Sequence, residues 1–299
     1  LPARVVQAAW RRAGRPSIRA LVGEVDVVHG TRFVLPPLGS VPGVVTVHDL
    51  SFYRDDTFPR GERLRDLVAW SAARAARVLV PTEAVAVEVR ERYGLPPERV
   101  SVTPEGVPAA FFGAAPLADA VLAGMGIRHP FAVALGTIEP RKNLLRLLQA
   151  WRLAADPLRG WTLVIVGPAG WGPGLPETPG VVPTGYVSDE TLPGLLAAAG
   201  FFCYPSLYEG FGLPPLEAMA AGTPALVGRY SAAREVLGEA AVLVDPTDPS
   251  DIAQGLARLA GDEPLRRTLT VTGRARASGF TWEATARATV GAYREALQE

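Results

Sequence analysis

Short apolar runs alternate with longer amphipathic segments along the chain. The runs are rich in β-branched residues and end at turn residues, which is typical of buried parallel strands. In chain order they are VDVVH, VVTVH, RVLVP, RVSVTP, FAVALG, TLVIVG, GFFCYPS, TPALVG and AAVLVD. Segments with helical spacing separate them, among them RGERLRDLVAWSAARAA, TEAVAVEVRERYG, KNLLRLLQAWRLAA and SDETLPGLLAAAG. This alternation predicts an α/β protein with parallel sheets.

A Gly/Pro-rich joint near residues 113–130 divides this pattern into two halves. At 299 residues the chain is longer than one hydrophobic core usually supports, so two doubly wound α/β units are expected. We predict an N-terminal domain over residues 1–128 and a second domain over residues 129–284. A C-terminal helix over residues 285–299 is expected to pack back on the first domain.

Composition and charge exclude several classes of protein. The 30 basic and 30 acidic side chains cancel, which argues against a dedicated nucleic-acid binder. No apolar run reaches the roughly 18–20 residues of a membrane span, and no signal peptide is visible. The single cysteine, Cys203, excludes an intramolecular disulfide and fits a reducing cytoplasm.

The stretch PSLYEGFGLPPLEAMAAG carries the strongest candidate chemistry, because open α/β sheets bind ligands where strands run into loops. A helix is expected to begin near Pro214, and Gly210 and Gly212 before it leave backbone N–H groups accessible to an anion such as phosphate. Two acids, Glu209 and Glu217, would repel that anion unless they bind something else, such as sugar hydroxyls. The alternative is a capped surface helix with ordinary exposed glutamates.

A second candidate is ALGTIEPRKN, which holds the single lysine of the chain, Lys142, beside its single asparagine, Asn143. Gly136 ends a strand, and Arg141 and Lys142 are expected to open a long helix, where cations oppose the macrodipole. Such cations suit an anion, for example a leaving diphosphate. Because the sequence has no Asp-x-Asp pair to hold a divalent metal, these side chains would neutralise the diphosphate themselves. The alternative is a pair of solvated surface cations.

The third candidate is His48 in VTVHDLSF, at the predicted end of a strand. A lone histidine is more often structural than catalytic, so a structural role stays open for it. His29 in VVHGT occupies the equivalent place on the preceding strand.

Together these stretches resemble the retaining glycosyltransferases of glycosyltransferase family 4, which have the GT-B fold. The resemblance covers nearly the whole chain, and the pair Glu209 and Glu217 matches the family's Glu-x7-Glu pattern. It is similar above all to the bacterial branch that builds O-antigen and related polysaccharides, many of whose members are mannosyltransferases. The resemblance implies two Rossmann-like domains facing a cleft, the second of which binds the donor nucleotide sugar.

By position, the resemblance also implies site residues. Arg141 and Lys142 look like the pair that neutralises the donor diphosphate, with Gly136 and Thr137 in the same donor-binding loop. Glu217 resembles the acid that binds the ribose diol.

The other implied positions surround the transferred sugar and the base. Glu209 resembles the acid near the hydroxyls of the transferred sugar, and His48 matches the histidine that lies over this sugar from the other domain. The remaining donor-binding positions are Tyr186 and Val187 at the base, and Gly210, Phe211, Gly212 and Leu213 at sugar and phosphate.

The match has two departures from the family pattern. The family begins with a strand and a glycine-rich loop ending in arginine, and nothing in this sequence corresponds to them. LPARVVQAAW aligns with a helix well inside the N-terminal domain, so the sequence is expected to be N-terminally incomplete, with its activity in doubt. Thr137 stands where many members carry arginine.

The implied reaction moves a hexose, with mannose from GDP-mannose as the expected donor, to a saccharide or lipid-linked acceptor without a metal or other cofactor. Retention would follow an oxocarbenium-like transition state in which the leaving phosphate takes the acceptor proton. The alternatives are another GT-B enzyme, such as a nucleotide-sugar epimerase or a phosphorylase, and a non-catalytic nucleotide-sugar-binding module. A nicotinamide dehydrogenase is disfavoured because prolines follow the glycine-rich VGPAGWGPG.

The first twenty residues predict a peripheral contact with an anionic membrane. LPARVVQAAWRRAGRPSIRA combines an apolar stripe with five arginines and no acid, which suits anionic headgroups at the inner face of the plasma membrane. The alternative is an ordinary helix packed by its apolar side.

Overall fold

The computed structural model contains two parallel sheets that belong to separate units. The structure describes Trp10 and residues 14–54, 58–59 and 61–298. The first unit takes in the chain up to Pro104 and from Glu283 onward, and the second is Glu105–Trp282. The sequence placed these divisions after residues 128 and 284. Val107 N–H donates to the carbonyl of Phe280 across 3.0 Å, which joins the beginning and the end of the second unit.

The helices and strands alternate over both units of the described chain. In chain order they are α1 (Ile18–Val22), β1 (Val28–Gly30), β2 (Gly43–Thr46), α2 (Gly61–Arg74), β3 (Arg77–Val80), α3 (Glu83–Tyr93), β4 (Val100–Val102), α4 (Asp119–Gly124), β5 (Phe131–Leu135), α5 (Leu144–Leu153), β6 (Thr162–Val166), β7 (Val181–Gly185), α6 (Leu192–Ala198), β8 (Phe201–Tyr204), α7 (Leu213–Ala221), β9 (Ala225–Gly228), α8 (Ala233–Leu237), β10 (Val242–Val244), α9 (Pro249–Gly261), α10 (Glu263–Ala277) and α11 (Trp282–Ala296). Short 3-10 turns cover Ser51–Tyr53, Pro97–Arg99, Ala109–Phe111 and Pro140–Lys142.

The sheet of the first unit has the strand order β1-β2-β3-β4, and its central strands β2 and β3 are buried on both faces. Successive side chains of a strand point to opposite faces. Val45 and Val78 therefore enter a core that α2 and α3 help to close. Val44 and Leu79 point the other way and pack against α11. The last helix of the chain thus covers the second face of the first sheet.

The sheet of the second unit has the order β10-β9-β8-β5-β6-β7, and every pair of neighbours is parallel. Read from β7, this is the order 3-2-1-4-5-6 of a doubly wound nucleotide-binding sheet. The direction of winding reverses between β5 and β8, which pair from Ala132 with Phe201 to Ala134 with Cys203. Ligands bind at such a switch point, outside the carboxyl ends of the strands.

Local sequence explains where several elements begin, end or escape prediction. Thr82 caps α3 by accepting from Val85 N–H, and Gly94 ends that helix in the left-handed region at φ 61°. Each of the nine strand runs of the sequence overlaps an observed strand. Strand β7 is absent from that prediction because Pro183 interrupts its pattern. Proline is tolerated there since β7 lies at the edge of the sheet.

Candidate functional site

Two loops meet at the switch point of the second sheet, and both carry the predicted donor-site residues. The first loop leaves β5 at Gly136, and the second leaves β8 at Pro205. They are joined by a backbone hydrogen bond of 2.9 Å from Leu207 N–H to the carbonyl of Arg141. The pairing of β5 with β8 therefore brings residues more than sixty positions apart into one site.

Arg141 and Lys142 lie in the 3-10 turn Pro140–Lys142, which corrects the expectation that they open a helix. Asn143 follows in the left-handed region at φ 60°, and α5 begins only at Leu144. The left-handed residue breaks the helical path, so the cations lie outside the first turn of α5.

A cluster of four charged side chains lies between the two loops. Lys142 Nζ lies 2.8 Å from Glu209 Oε1, and the Arg141 guanidinium contacts the other carboxylate oxygen of Glu209. Arg141 also pairs with Glu139 at 2.7 Å. The cluster is largely buried, with 11% of the Lys142 side chain and 9% of the Glu209 side chain exposed. Its formal charges cancel, because two basic groups face two acidic ones.

Burial and pairing shift the pKa values of this cluster. Burial alone would raise the pKa of Glu209, but the cations of Lys142 and Arg141 outweigh it and hold that pKa below its ordinary value. Burial lowers the pKa of Lys142, and the charge of Glu209 opposes this shift. Glu209 is therefore a carboxylate at neutral pH.

Close packing explains the residue types around Lys142. A Cβ at Gly136 would lie 3.1 Å from Lys142 Cε, so a side chain there would press on the lysine stem. Gly136 also has φ 145°, which side chains rarely adopt. Lys142 Nζ donates to Tyr204 Oη and stands 4.6 Å from the centre of that ring. The lysine is thus held between the two strand ends.

Asn143 was not predicted as a site residue, yet it ties three loops together. Its Nδ2 donates to the carbonyl of Pro205 at 2.9 Å and to that of Pro246 at 2.6 Å. These carbonyls follow β8 and β10, so one amide joins the ends of three strands. The signal in the sequence is that asparagine tolerates the left-handed region better than most residues and occurs once in the chain.

The second loop brings its predicted residues to the start of α7. Gly212 caps the helix at φ 97°, and a Cβ there would lie 2.2 Å from Tyr230 Oη. Phe211 is buried, and its ring meets that of Phe280 edge-on at 5.4 Å. Position 212 therefore favours glycine, because its backbone is left-handed and Tyr230 occupies the space that a side chain would need. The helix begins at Leu213 with its first N–H groups directed toward this loop, as the sequence predicts for an anion site.

Glu217 lies in the middle of α7 and has a distinct environment. Burial is the main reason that its pKa is raised to about 7, and the acids Asp189 and Glu105 raise it further. The pKa values of the two acids of the Glu-x7-Glu pattern are thus shifted in opposite directions. Glu209 is ion-paired, whereas Glu217 changes its charge near neutral pH.

The remaining donor-site predictions lie on neighbouring loops of the second unit. Tyr186, directly after β7, is 70% exposed, and Val187 beside it is buried. Thr137 packs close to Gly170, where a Cβ would come within 2.5 Å of Thr137 Cγ2. The glycine-rich segment after β6 packs on the first loop, since Gly172 N–H donates to the carbonyl of Ile138. That contact accounts for these glycines without a dinucleotide.

The two strand-end histidines lie in the first unit. His48 Nε2 is 3.0 Å from the carbonyl oxygen of Thr31. His29 bridges Tyr293 Oη at 2.7 Å and Thr46 Oγ1 at 2.8 Å. Burial, and then the nearby His48, lower the pKa of His29. His29 therefore has a structural explanation, whereas the role of His48 at the donor sugar stays a prediction.

Two further predictions concern metals and membranes. Across the described ranges, no group of three or more His, Cys, Asp or Glu side chains is arranged to hold a metal ion. None of the described helices is long and apolar enough to cross a bilayer. Most of the predicted membrane-facing stripe, including Arg4, Val5 and Arg11, lies outside the described residues, so that contact stays a prediction.

Two family models match this chain. Residues 129–262 match the model described as "Glycosyl transferases group 1", and residues 3–111 match "Glycosyltransferase Family 4". O-antigen chain mannosyltransferase B from Escherichia coli is 32% identical over 286 residues, covering 90% of this chain and 74% of that protein. MMP alpha-(1->4)-mannosyltransferase from Mycolicibacterium hassiacum is 45% identical over 115 residues, covering 37% of this chain and 28% of that protein.

Solved structures share the architecture. Sucrose-phosphate synthase from Thermosynechococcus elongatus superposes with a TM-score of 0.75 at 22% identity, covering 97% of this chain and 75% of that one. At this identity the similarity concerns the fold. It confirms the predicted fold class of two parallel-sheet α/β domains.

Proposed function

Because the chain belongs to glycosyltransferase family 4 and is a glycosyltransferase, we propose that its donor is a nucleoside-diphosphate hexose. The observation that carries this proposal is the meeting of Arg141, Lys142 and the glycine-capped start of α7 at the switch point of one sheet. Cations and helix N–H groups together suit a diphosphate. Glu217, further along the same helix, is suited to accept hydrogen bonds from a ribose diol.

The transferred sugar is mannose, and the donor is GDP-mannose. The support is the name of two relatives, O-antigen chain mannosyltransferase B and MMP alpha-(1->4)-mannosyltransferase. The acceptor is a saccharide or a lipid-linked saccharide, in line with the O-antigen chain named in the first relative. The reaction takes place in the cytoplasm, with which the single buried cysteine is consistent.

Transfer proceeds with retention and without a metal. The bond between the sugar C1 and the phosphate oxygen breaks, the acceptor oxygen bonds to C1 on the same face, and its proton passes to the departing phosphate. Arg141 and Lys142 stabilise the charge that develops on this phosphate. Glu209 accepts hydrogen bonds from the sugar hydroxyls.

Donor turnover tests the proposal. The whole protein is incubated with GDP-mannose and with UDP-glucose, UDP-galactose and GDP-fucose, with and without oligomannose acceptors, in buffer containing EDTA. We expect GDP-mannose to be used best, the α-anomeric configuration to be kept in the product by NMR, and EDTA to have no effect. Turnover of another donor would contradict mannose, inversion would contradict retention, and loss of activity restored by Mg²⁺ or Mn²⁺ would contradict metal independence.

A further inference from the structure

The cations assigned to the donor diphosphate already have carboxylate partners in this structure. Lys142 and Arg141 both contact Glu209, and Arg141 also contacts Glu139. A diphosphate that simply joined this cluster would add its charge to a group whose formal charges already cancel. Entry of the diphosphate therefore calls for a change of partners.

We propose that Glu209 is an exchangeable counter-ion, which the donor diphosphate replaces on Lys142 and Arg141. The released carboxylate then turns to the hydroxyls of the transferred sugar. This inference rests on the proposed function and adds a coupling to it, because binding of the diphosphate makes the carboxylate available for the sugar. Departure of the diphosphate product lets Glu209 return to the cations.

The geometry selects Glu209 over Glu139 as the group that leaves. Glu139 precedes the 3-10 turn that holds Arg141, and it pairs with Arg141 within the same loop. Glu209 comes from the other strand and contacts both cations. It is followed by Gly210 and by Gly212 in the left-handed region, which give this loop more conformational freedom than side-chain-bearing residues would.

The energetics favour a resident counter-ion in the absence of donor. Two cations that are mostly buried would be costly without partners, since an uncompensated buried charge is strongly destabilising. Glu209 supplies that compensation, and its pKa below the ordinary value reflects the same attraction. A diphosphate carries at least as much negative charge as the carboxylate it replaces, so the cations stay compensated throughout the exchange.

Calorimetry on Glu209→Gln tests the exchange directly. The amide cannot compete as an anion, so we expect GDP and inorganic pyrophosphate to bind this variant about tenfold more tightly than the parent. Transfer from GDP-mannose should fall in the same variant because the carboxylate for the sugar is lost. Equal or weaker binding of both anions to the folded variant would overturn the exchange.

Glu139→Gln is the matched control for a general electrostatic effect. It removes one buried acid from the same cluster without touching Lys142. If the loss of any negative charge explained tighter binding, both variants would bind the anions more tightly than the parent by the same factor. That result would overturn the exchange. Under the proposal, the affinity for GDP and pyrophosphate increases less in Glu139→Gln than in Glu209→Gln. Glu263→Gln, at an exposed pair on α10, should bind both anions like the parent.

A second measurement needs no variant, because Lys142 is the single lysine of the chain. Selective ¹³C-lysine labelling of these 299 residues gives one ε-methylene signal, and this signal reports on the partner of Nζ. We expect pyrophosphate to shift it in the parent protein. A signal that stays unchanged at saturating pyrophosphate would contradict the exchange even if Glu209→Gln failed to fold.

The probes separate this inference from the proposed function. Tighter binding of pyrophosphate to Glu209→Gln, with no binding of any nucleoside diphosphate to either protein, would support the exchange and contradict the nucleotide-sugar donor. Binding of GDP to both proteins with no gain in the variant would leave the donor proposal standing and overturn the exchange.

Discussion

At the scale of the residue, Lys142 is a position where the surroundings restrict the side chain. It is confined by Gly136, by the ring of Tyr204 and by Glu209, and about a tenth of its side chain is exposed. A compact ammonium fits this space as a point charge. A guanidinium is larger, planar and fixed in its donor directions, so it is a poor replacement.

We expect Lys142→Ala and Arg141→Ala to weaken GDP binding by about 1.5–3 kcal/mol each, because each removes a charge-assisted contact. Lys142→Arg should also weaken binding, since the added bulk meets Gly136 and Tyr204. Calorimetry measures the affinities, and circular dichroism establishes that the variants are folded. Unchanged affinity in both alanine variants would refute the assignment of the cations to the diphosphate.

The pKa of Glu217 predicts how the free energy of unfolding changes with pH. The folded-state pKa of about 7 lies above the ordinary value of 4.5 for a glutamate side chain. Between these two pH values the unfolded chain has released a proton that the folded protein keeps, so stability falls as the pH rises through this window. Glu217→Gln removes that loss. At pH 8 we expect its free energy of unfolding to exceed that of the parent by about 1–3 kcal/mol, with little difference at pH 4.

The same substitution should weaken nucleotide binding, so the two effects have opposite signs. The carboxylate form of Glu217 accepts hydrogen bonds from a diol, and this form becomes dominant as the pH rises above 7. We expect the affinity of the parent for GDP, relative to that of Glu217→Gln, to increase from pH 6 to pH 8. The control ligand is 2′-deoxy-GDP, which lacks the diol. An equal pH effect with both ligands would contradict the ribose assignment.

At the scale of the element, the turn between β5 and α5 depends on Asn143. Its backbone is left-handed, and its amide holds the carbonyls of Pro205 and Pro246. The turn can present Arg141 and Lys142 to the second loop because this residue interrupts the helical path directly after them.

We expect Asn143→Ala to cost about 2–4 kcal/mol of folding free energy, from left-handed strain and two lost hydrogen bonds. Glycine tolerates the left-handed backbone, so Asn143→Gly should lose less folding free energy. Both variants should bind GDP more weakly, because the cations are less well positioned. Denaturant unfolding and calorimetry provide the two readouts. Gln149→Ala, exposed on α5, is the control and should be near neutral. Full GDP affinity in both Asn143 variants would contradict a positioning role.

At the scale of the whole molecule, the chain returns at its end to its first unit. Helix α11 packs Ala292 and Ala296 against Val44 and Leu79, and Arg77 Nε donates to Glu295 at 3.1 Å. Helix α11 therefore completes a hydrophobic core that begins with strands β2 and β3.

A charge in this contact should destabilise the first unit. We expect Ala292→Asp to lower the free energy of unfolding by about 3 kcal/mol or more, because it buries an unpaired carboxylate. Ala286→Asp adds the same charge at an exposed position of α11 and should change stability by about 0.5 kcal/mol at most. Thermal and urea unfolding compare the two. Similar stability of both variants would show that α11 is not part of the core.

The sequence by itself determined the alternation of strands and helices and the family, and it predicted the two loops of the candidate site. These features are local: apolar runs, helical spacing and glycines at strand ends are readable within a few residues. Even so, β7 was not predicted, since Pro183 disguises an edge strand whose tolerance of proline depends on where it lies in the sheet.

Only the tertiary structure decided which side chains contact one another at the candidate site. Lys142 and Glu209 are 67 positions apart, and Asn143 and Pro246 are 103 apart. No local spacing relates them, because their contact follows from the side-by-side placement of strands that the chain visits out of order. The sequence therefore predicts the cations as a candidate diphosphate site, but it does not predict their neutralisation by Glu209. The left-handed break at Asn143 likewise depends on carbonyls supplied by two other loops.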